Sequence, residues 1–92
     1  MPVGFDDLHR LIKRGDLATI RAWIQSGGDV RLTNQYGWTL LMLAALHGRT
    51  DIAEMLLAAG ADADAQNKFG DTAASLADQK GAHRTARRIR RD

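Results

Sequence analysis

Three histidines, His9, His47 and His83, are the side chains best suited to proton transfer or metal ligation in this chain of 92 residues. Neither chemistry is expected of them. They fall at different positions of different helices, so nothing in their spacing brings them to one point, as a zinc site or a His-based catalytic pair requires. His9 is expected to be a hydrogen-bonded structural residue near Asp6, and His83 a surface residue in a first helical turn. The chain contains no cysteine, which excludes disulfides and cysteine-ligated zinc. Its glycines form no phosphate cradle, because no Gly-Lys-Ser/Thr triplet follows them. Asp62 and Asp64 lie in one turn without the further acidic ligands of a calcium loop, and read as local capping groups. No catalytic residue, no metal site and no cofactor is expected.

What remains is recognition. Tyr36, Trp38 and Phe69 are three of the chain's five aromatic residues. Large, rigid aromatic side chains on an exposed ridge are the usual material of binding hot spots. Tyr36 and Trp38 flank Gly37, and Phe69 precedes Gly70, so two glycine turns carry all three rings.

The elements that position these rings follow from an internal repeat. Gly4, Gly37 and Gly70 are 33 residues apart, as are Gly15, Gly48 and Gly81. The same spacing relates Gly27 to Gly60, Asp29 to Asp62, Asn34 to Asn67, Thr39 to Thr72 and Ala44 to Ala77. Glycines recurring at one period mark a tight or left-handed turn needed in every copy.

Within the copies, apolar spacing is helical. Leu8, Leu11 and Ile12 form one face of a helix capped by Asp6 and stopped by Gly15. Leu17, Ile20, Ala22, Trp23 and Ile24 form a second helix closed by Gly27 and Gly28. Thr39 caps a helix running to His47, with Gly48 after it. Asp51 sits in the first turn of the next helix, where its charge suits the dipole. Ile52, Ala53, Leu56 and Leu57 face inward there, and Gly60 ends it. Thr72 caps a helix from Ala73 to Lys80, and a last helix spans about 83–90 with Ala86 and Ile89 as its apolar stripe. Segments 28–38 and 61–71 read as extended arms meeting in turns at Gly37 and Gly70. Trp23 occupies the position of Leu56 and belongs to the core, and Met42 is an adaptable filler of the interior.

The stretch Asn34–Gln66 is the fullest copy, and it resembles the ankyrin repeat. That family reads roughly Asp-x-x-Gly-x-Thr-Pro-Leu-His-x-Ala-Ala, followed by a second helix ending in Leu-Leu-x-x-Gly-Ala-Asp-x-Asn. Asn34, Gly37, Thr39, Leu41, Ala44, Ala45, Gly48, Ile52, Leu56, Leu57, Gly60, Ala61 and Asp62 match it. Leu40 stands in place of the family's Pro and Met42 in place of its His, so this copy has no Thr–His hydrogen bond. His9 holds that His position in the first copy and Ser75 in the third.

The resemblance implies an all-α ankyrin-repeat solenoid of three helix-turn-helix units, with about six short helices joined by β-hairpin-like loops. It is expected to be one domain over 1–92: an N-terminal capping repeat over 1–33, a full central repeat over 34–66 and a C-terminal capping repeat over 67–92. The array is expected to be self-sufficient, with polar outer sides on its end copies. In such stacks partners meet the hairpin tips and the concave face made by the first helices. On this chain those positions are Gln35, Tyr36, Trp38, Leu46 and His47, then Lys68, Phe69, Asp71, Gln79 and Lys80, with Lys13 and Arg14 from the first copy. Trp38 is expected to stand exposed on its tip.

The implied function is non-enzymatic binding of one protein partner. The small bacterial proteins of this type suggest an immunity or inhibitor role toward a toxin or enzyme. The other reading is self-association of the apolar tips into a homodimer, against the expectation of a free monomer. The net charge of +2 conceals a balance of +5 over residues 80–92 and −3 over residues 1–79. The basic end is expected to be a solvated cap that complements its helix dipole. An acidic partner could use it. Nucleic acid is disfavoured because the aromatics are not interleaved with these arginines. The N-terminus carries no secretory pattern, and the longest apolar run, Leu40–Leu46, cannot span a membrane, so a cytoplasmic protein is expected.

Overall fold

The computed structural model describes residues 3–91. Among the described residues six helices follow one another: α1 (Phe5–Arg14), α2 (Leu17–Gln25), α3 (Leu40–Leu46), α4 (Thr50–Ala58), α5 (Ala73–Gln79) and α6 (His83–Arg90). They pair as three antiparallel units that stack into two layers. In one layer α3 packs between α1 and α5; in the other α4 packs between α2 and α6.

The caps explain where the helices begin. The Thr39 hydroxyl accepts the Met42 N–H at 3.1 Å, and the Thr72 hydroxyl accepts the Ser75 N–H at 3.2 Å. The reciprocal bond that the family assigns to histidine is made by other groups. The Met42 sulfur lies 3.5 Å from the Thr39 nitrogen, and the Ser75 hydroxyl accepts the Thr72 N–H at 2.9 Å. The first unit departs from the expectation of an Asp6 cap. Its helix begins two residues earlier than in the other units, with Gly4 as N-cap, and Asp7 accepts the Gly4 N–H at 3.0 Å. Asp6 therefore lies inside the helix, and His9 is released from any capping duty.

The first helix of the middle unit is the heart of the core. Leu40, Leu41, Met42, Leu43, Ala44 and Ala45 are all buried, because α3 is flanked on both sides by other first helices. A helix that is apolar all round can only be an interior one. Leu8, Ile12, Ile20, Val30, Ile52, Ala53, Leu56, Ala73, Leu76, Ala77, Ala86 and Ile89 complete the core. Trp23 is partly buried against it, and its indole lies so close over Gly28 that a Cβ there would come within 2.3 Å of the ring. One polar contact inside the stack was not foreseen: the hydroxyls of Thr50 on α4 and the buried Thr85 on α6 are 2.7 Å apart.

The connecting arms are held by asparagine. Asn34 Oδ1 accepts the N–H groups of Tyr36 at 2.9 Å and Trp38 at 3.0 Å, and Asn67 Oδ1 does the same for Phe69 at 2.9 Å and Asp71 at 3.0 Å. Each turn closes by a backbone bond, Asn34 N–H to Trp38 and Asn67 N–H to Asp71, both 3.1 Å. Gly37 has φ of +78° and sits against the next arm, where a Cβ would meet Asn67 Cα at 3.2 Å. Both the left-handed backbone and the close approach require glycine. Asp62 accepts the Asp64 N–H at 2.9 Å, the local turn contact expected of it.

Candidate functional site

Two lines of residues run across the stack. The first is the ridge of turn tips. The Lys68 N–H donates to the Tyr36 carbonyl at 2.9 Å, joining the second unit's tip to the third's. The Tyr36 and Phe69 rings lie side by side with centroids 6.3 Å apart and planes tilted by 33°. Both remain open to solvent, Tyr36 at 48% and Phe69 at 69%. Gln35 and Lys68 are exposed beside them, and Asp71 is partly buried at the turn's closing position. The Gln79 amide reaches Asp71 Oδ1 at 3.4 Å along α5.

Trp38 behaves differently from the expectation of an exposed tip residue. Its side chain is partly buried and packs against the core cluster. The cause is its place in the turn: its backbone closes the loop on Asn34, which sends the chain, and the indole, back toward α3. The outward-facing apolar surface of the ridge is thus Tyr36 and Phe69.

The second line lies at the C-terminal ends of the first helices. Lys13 and Arg14 are exposed at the end of α1, His47 follows α3, and Lys80 follows α5. Leu46, on the last position of α3, is partly exposed next to His47. α3 is seven residues long, so the ridge and this basic line are separated by about 10 Å, at 1.5 Å per residue. The candidate residues read from the sequence therefore form two parallel rows rather than one patch.

The expectation that the histidines do not converge needs correction. His9 Nε2 and His47 Nε2 are 3.2 Å apart, with ring centroids 5.4 Å apart. One ring donates to the other. Burial first, then the neighbouring His9 and the charges of Lys13, Arg49 and Lys80, hold the His47 imidazole below the usual histidine range. His9 is thus hydrogen-bonded, with His47 as its partner. His83 is exposed as expected, with its Nδ1 3.6 Å from Asp78. Among the described residues no group of three or more His, Cys, Asp or Glu side chains could hold a metal ion.

The arginines of α6 are partly occupied within the chain. Arg88 pairs with Glu54 of α4 at 3.1 Å, and Arg90 pairs with Asp78 of α5. The Arg90 hydrogen bond and charge hold the Asp78 carboxyl below the usual carboxylate range. These contacts tie the last helix to its neighbours as a cap does.

This architecture, a stack of paired helices linked by glycine-turned arms, is that of a protein-interaction module. A family model described as ankyrin repeats in three copies matches residues 8–90, and the chain belongs to that family. Human protein phosphatase 1 regulatory subunit 27 is 36% identical over 77 residues, covering 84% of this chain and 50% of that protein. Bovine ankyrin repeat family A protein 2 is 35% identical over 74 residues, 80% of this chain and 24% of its own length. Human Notch-regulated ankyrin repeat-containing protein is 36% identical over 56 residues, 61% of this chain and 49% of its own length. The chain thus spans half or less of the length of these relatives. The family's repeats imply a module for protein–protein interaction. No helix among the described residues is long and apolar enough to cross a membrane.

Proposed function

We propose that the chain binds one protein partner through the Tyr36–Phe69 ridge, with Gln35, Lys68 and Asp71 around it and the concave face of α1, α3 and α5 beside it. The observation that carries this reading is the exposure of two adjacent aromatic rings on a backbone fixed by asparagine bonds and by the Lys68–Tyr36 link. Rings held in place before binding lose little conformational entropy on contact, so their buried area converts efficiently into affinity. Trp38 supports the ridge from beneath instead of meeting the partner directly. The three units 1–33, 34–66 and 67–92 act as one body in this reading, with the outer two as caps.

The role we favour is stoichiometric regulation of the partner by steric coverage. A relative named as a regulatory subunit supports regulation in general. Immunity toward a bacterial toxin is a narrower version of the same mechanism and has no support from the relatives' names. The second reading, self-association, draws on the 69% exposure of Phe69. Light scattering across a concentration series tests it: a monomer throughout removes it.

Affinity capture from native cells with wild type beside Phe69→Ala tests the main reading. Loss of a bound protein, at least about tenfold, with an unchanged melting profile is the expected result. Equal capture by both forms would overturn it.

A further inference from the structure

The ridge leaves the basic row at the ends of α1, α3 and α5 without a task. We infer that Lys13, His9, His47 and Lys80 form the docking site for an extended acidic segment of the partner, with carboxylates at every third residue, held more tightly when the histidine pair is protonated. This rests on the protein-binding reading above and adds the chemistry of what is bound.

The charge on this row is uncompensated. Among the described residues, Lys13, His47, Arg49 and Lys80 take part in no ion pair, whereas Arg10, Arg14, Arg88 and Arg90 each have a carboxylate partner. The charged and titratable groups that act on His47 are His9 and Lys13 from α1, Arg49 from the turn after α3, and Lys80 from the end of α5; all are basic. Arg49 is also fixed in place. Its guanidinium packs against Gly15 and donates to the Lys13 carbonyl, and its Nε has no acceptor among the described residues. Part of this positive charge complements the carbonyl ends of three helices. That accounts for single cations at each end and does not account for their convergence on an imidazole pair.

The geometry is regular. His47 and Lys80 occupy the same C-cap position 33 residues apart, with backbone angles of −95°, 4° and −92°, 3°. Their side chains therefore leave the stack in the same direction. Packed helices lie about 8–10 Å apart, and an extended peptide advances about 3.3 Å per residue. Carboxylates three residues apart match one helix spacing, so two of them meet the His47 and Lys80 positions in turn and a third reaches Lys13, which stands one residue before the corresponding position, that of Arg14, at the end of α1. An anion bridging His9 and His47 replaces their mutual hydrogen bond with two charge-assisted ones and favours both in the protonated form. A single nucleic-acid strand is the less suitable occupant, because the exposed rings that could stack bases lie on the other row, across the length of α3.

The test uses fluorescence anisotropy with a labelled peptide, Glu-Gly-Ser-Glu-Gly-Ser-Glu, beside a peptide of equal composition with the three glutamates adjacent. The spaced peptide is expected to bind the tighter of the two, and to bind about threefold to fivefold more tightly at about pH 6 than at about pH 8. His47→Gln should reduce the ratio of the affinities at about pH 6 and about pH 8, and His9→Gln with His47→Gln should abolish the pH dependence. Lys13→Glu with Lys80→Glu should weaken binding at least about tenfold, with folding confirmed by circular dichroism. Equal binding of the two peptides, pH-independent binding by the wild type, or tighter binding of an oligouridylate than of the spaced peptide would each overturn the inference. Should capture of the native partner depend on Phe69 and not on Lys13 and Lys80, the ridge reading stands and this one falls.

Discussion

The Tyr36 carbonyl accepts the Lys68 N–H at 2.9 Å, one residue before the ring that lies against Tyr36's own. The contact joins two tips through backbone atoms alone. It also sets Gly37 directly over Asn67, and this makes the two tip glycines unequal. Gly37 has φ of +78° and would carry a Cβ 3.2 Å from Asn67 Cα, while Gly70 has φ of +80° and open space around it.

Substitution of each glycine by alanine separates backbone strain from crowding. Gly70→Ala incurs only the left-handed penalty, about 1 kcal/mol. Gly37→Ala incurs that penalty and forces the two arms apart, and should destabilise the fold by about 1 kcal/mol more. Parallel urea titrations of both variants check the ordering. Equal midpoints would show that the arms yield freely at Asn67.

Trp38→Ala should lower stability by about 2 kcal/mol, because the indole packs on the core. For a chain of this size that corresponds to a fall of about 10 °C in melting temperature. A change within experimental error would place the ring outside the core after all.

The folding stability should depend on pH through His47. Its imidazole takes a proton less readily in the folded chain than at the ordinary value of 6.5, chiefly through burial and then through His9, Lys13, Arg49 and Lys80. The unfolded chain therefore binds more protons as pH falls below that value, and stability, complete above it, declines as pH drops through the lowered folded value. Asp16, hydrogen-bonded by Thr19, and Asp78, hydrogen-bonded by Arg90, act in a separate and more acidic window. Their contributions are present above the ordinary 3.8 and are lost as pH falls through their depressed folded values. Denaturant titrations across the range from about pH 8 to about pH 5 should show a slope that His47→Gln reduces.

Much of this fold is legible in the chain itself, because a repeat states its geometry several times. The 33-residue spacing of the glycines, Thr39 with Thr72, and Asn34 with Asn67 all reappear as turns, caps and loop clamps. What the period cannot encode is contact between unlike positions of neighbouring units. His9 and His47 are 38 residues apart, one period and five residues more, and meet only because α1 and α3 lie alongside one another. Thr50 and Thr85 are likewise 35 apart. Trp38 was hidden for another reason. Its neighbours Tyr36 and Gly37 mark a turn, but only the closing bond to Asn34 shows that the chain has already left the tip. At the first unit the helix begins at Phe5 instead of after Asp6, a shift set by the Gly4–Asp7 contact that no later copy repeats.

The link from Tyr36 to Lys68 uses a carbonyl and an amide, and the loop clamps use Asn34 and Asn67; no side chain at positions 35, 36, 68 or 69 takes part. The parts that keep register and the parts that face outward are thus separate sets of atoms. Such a surface is evolvable in a specific sense: its lettering can be rewritten for a new partner without renegotiating the architecture that displays it.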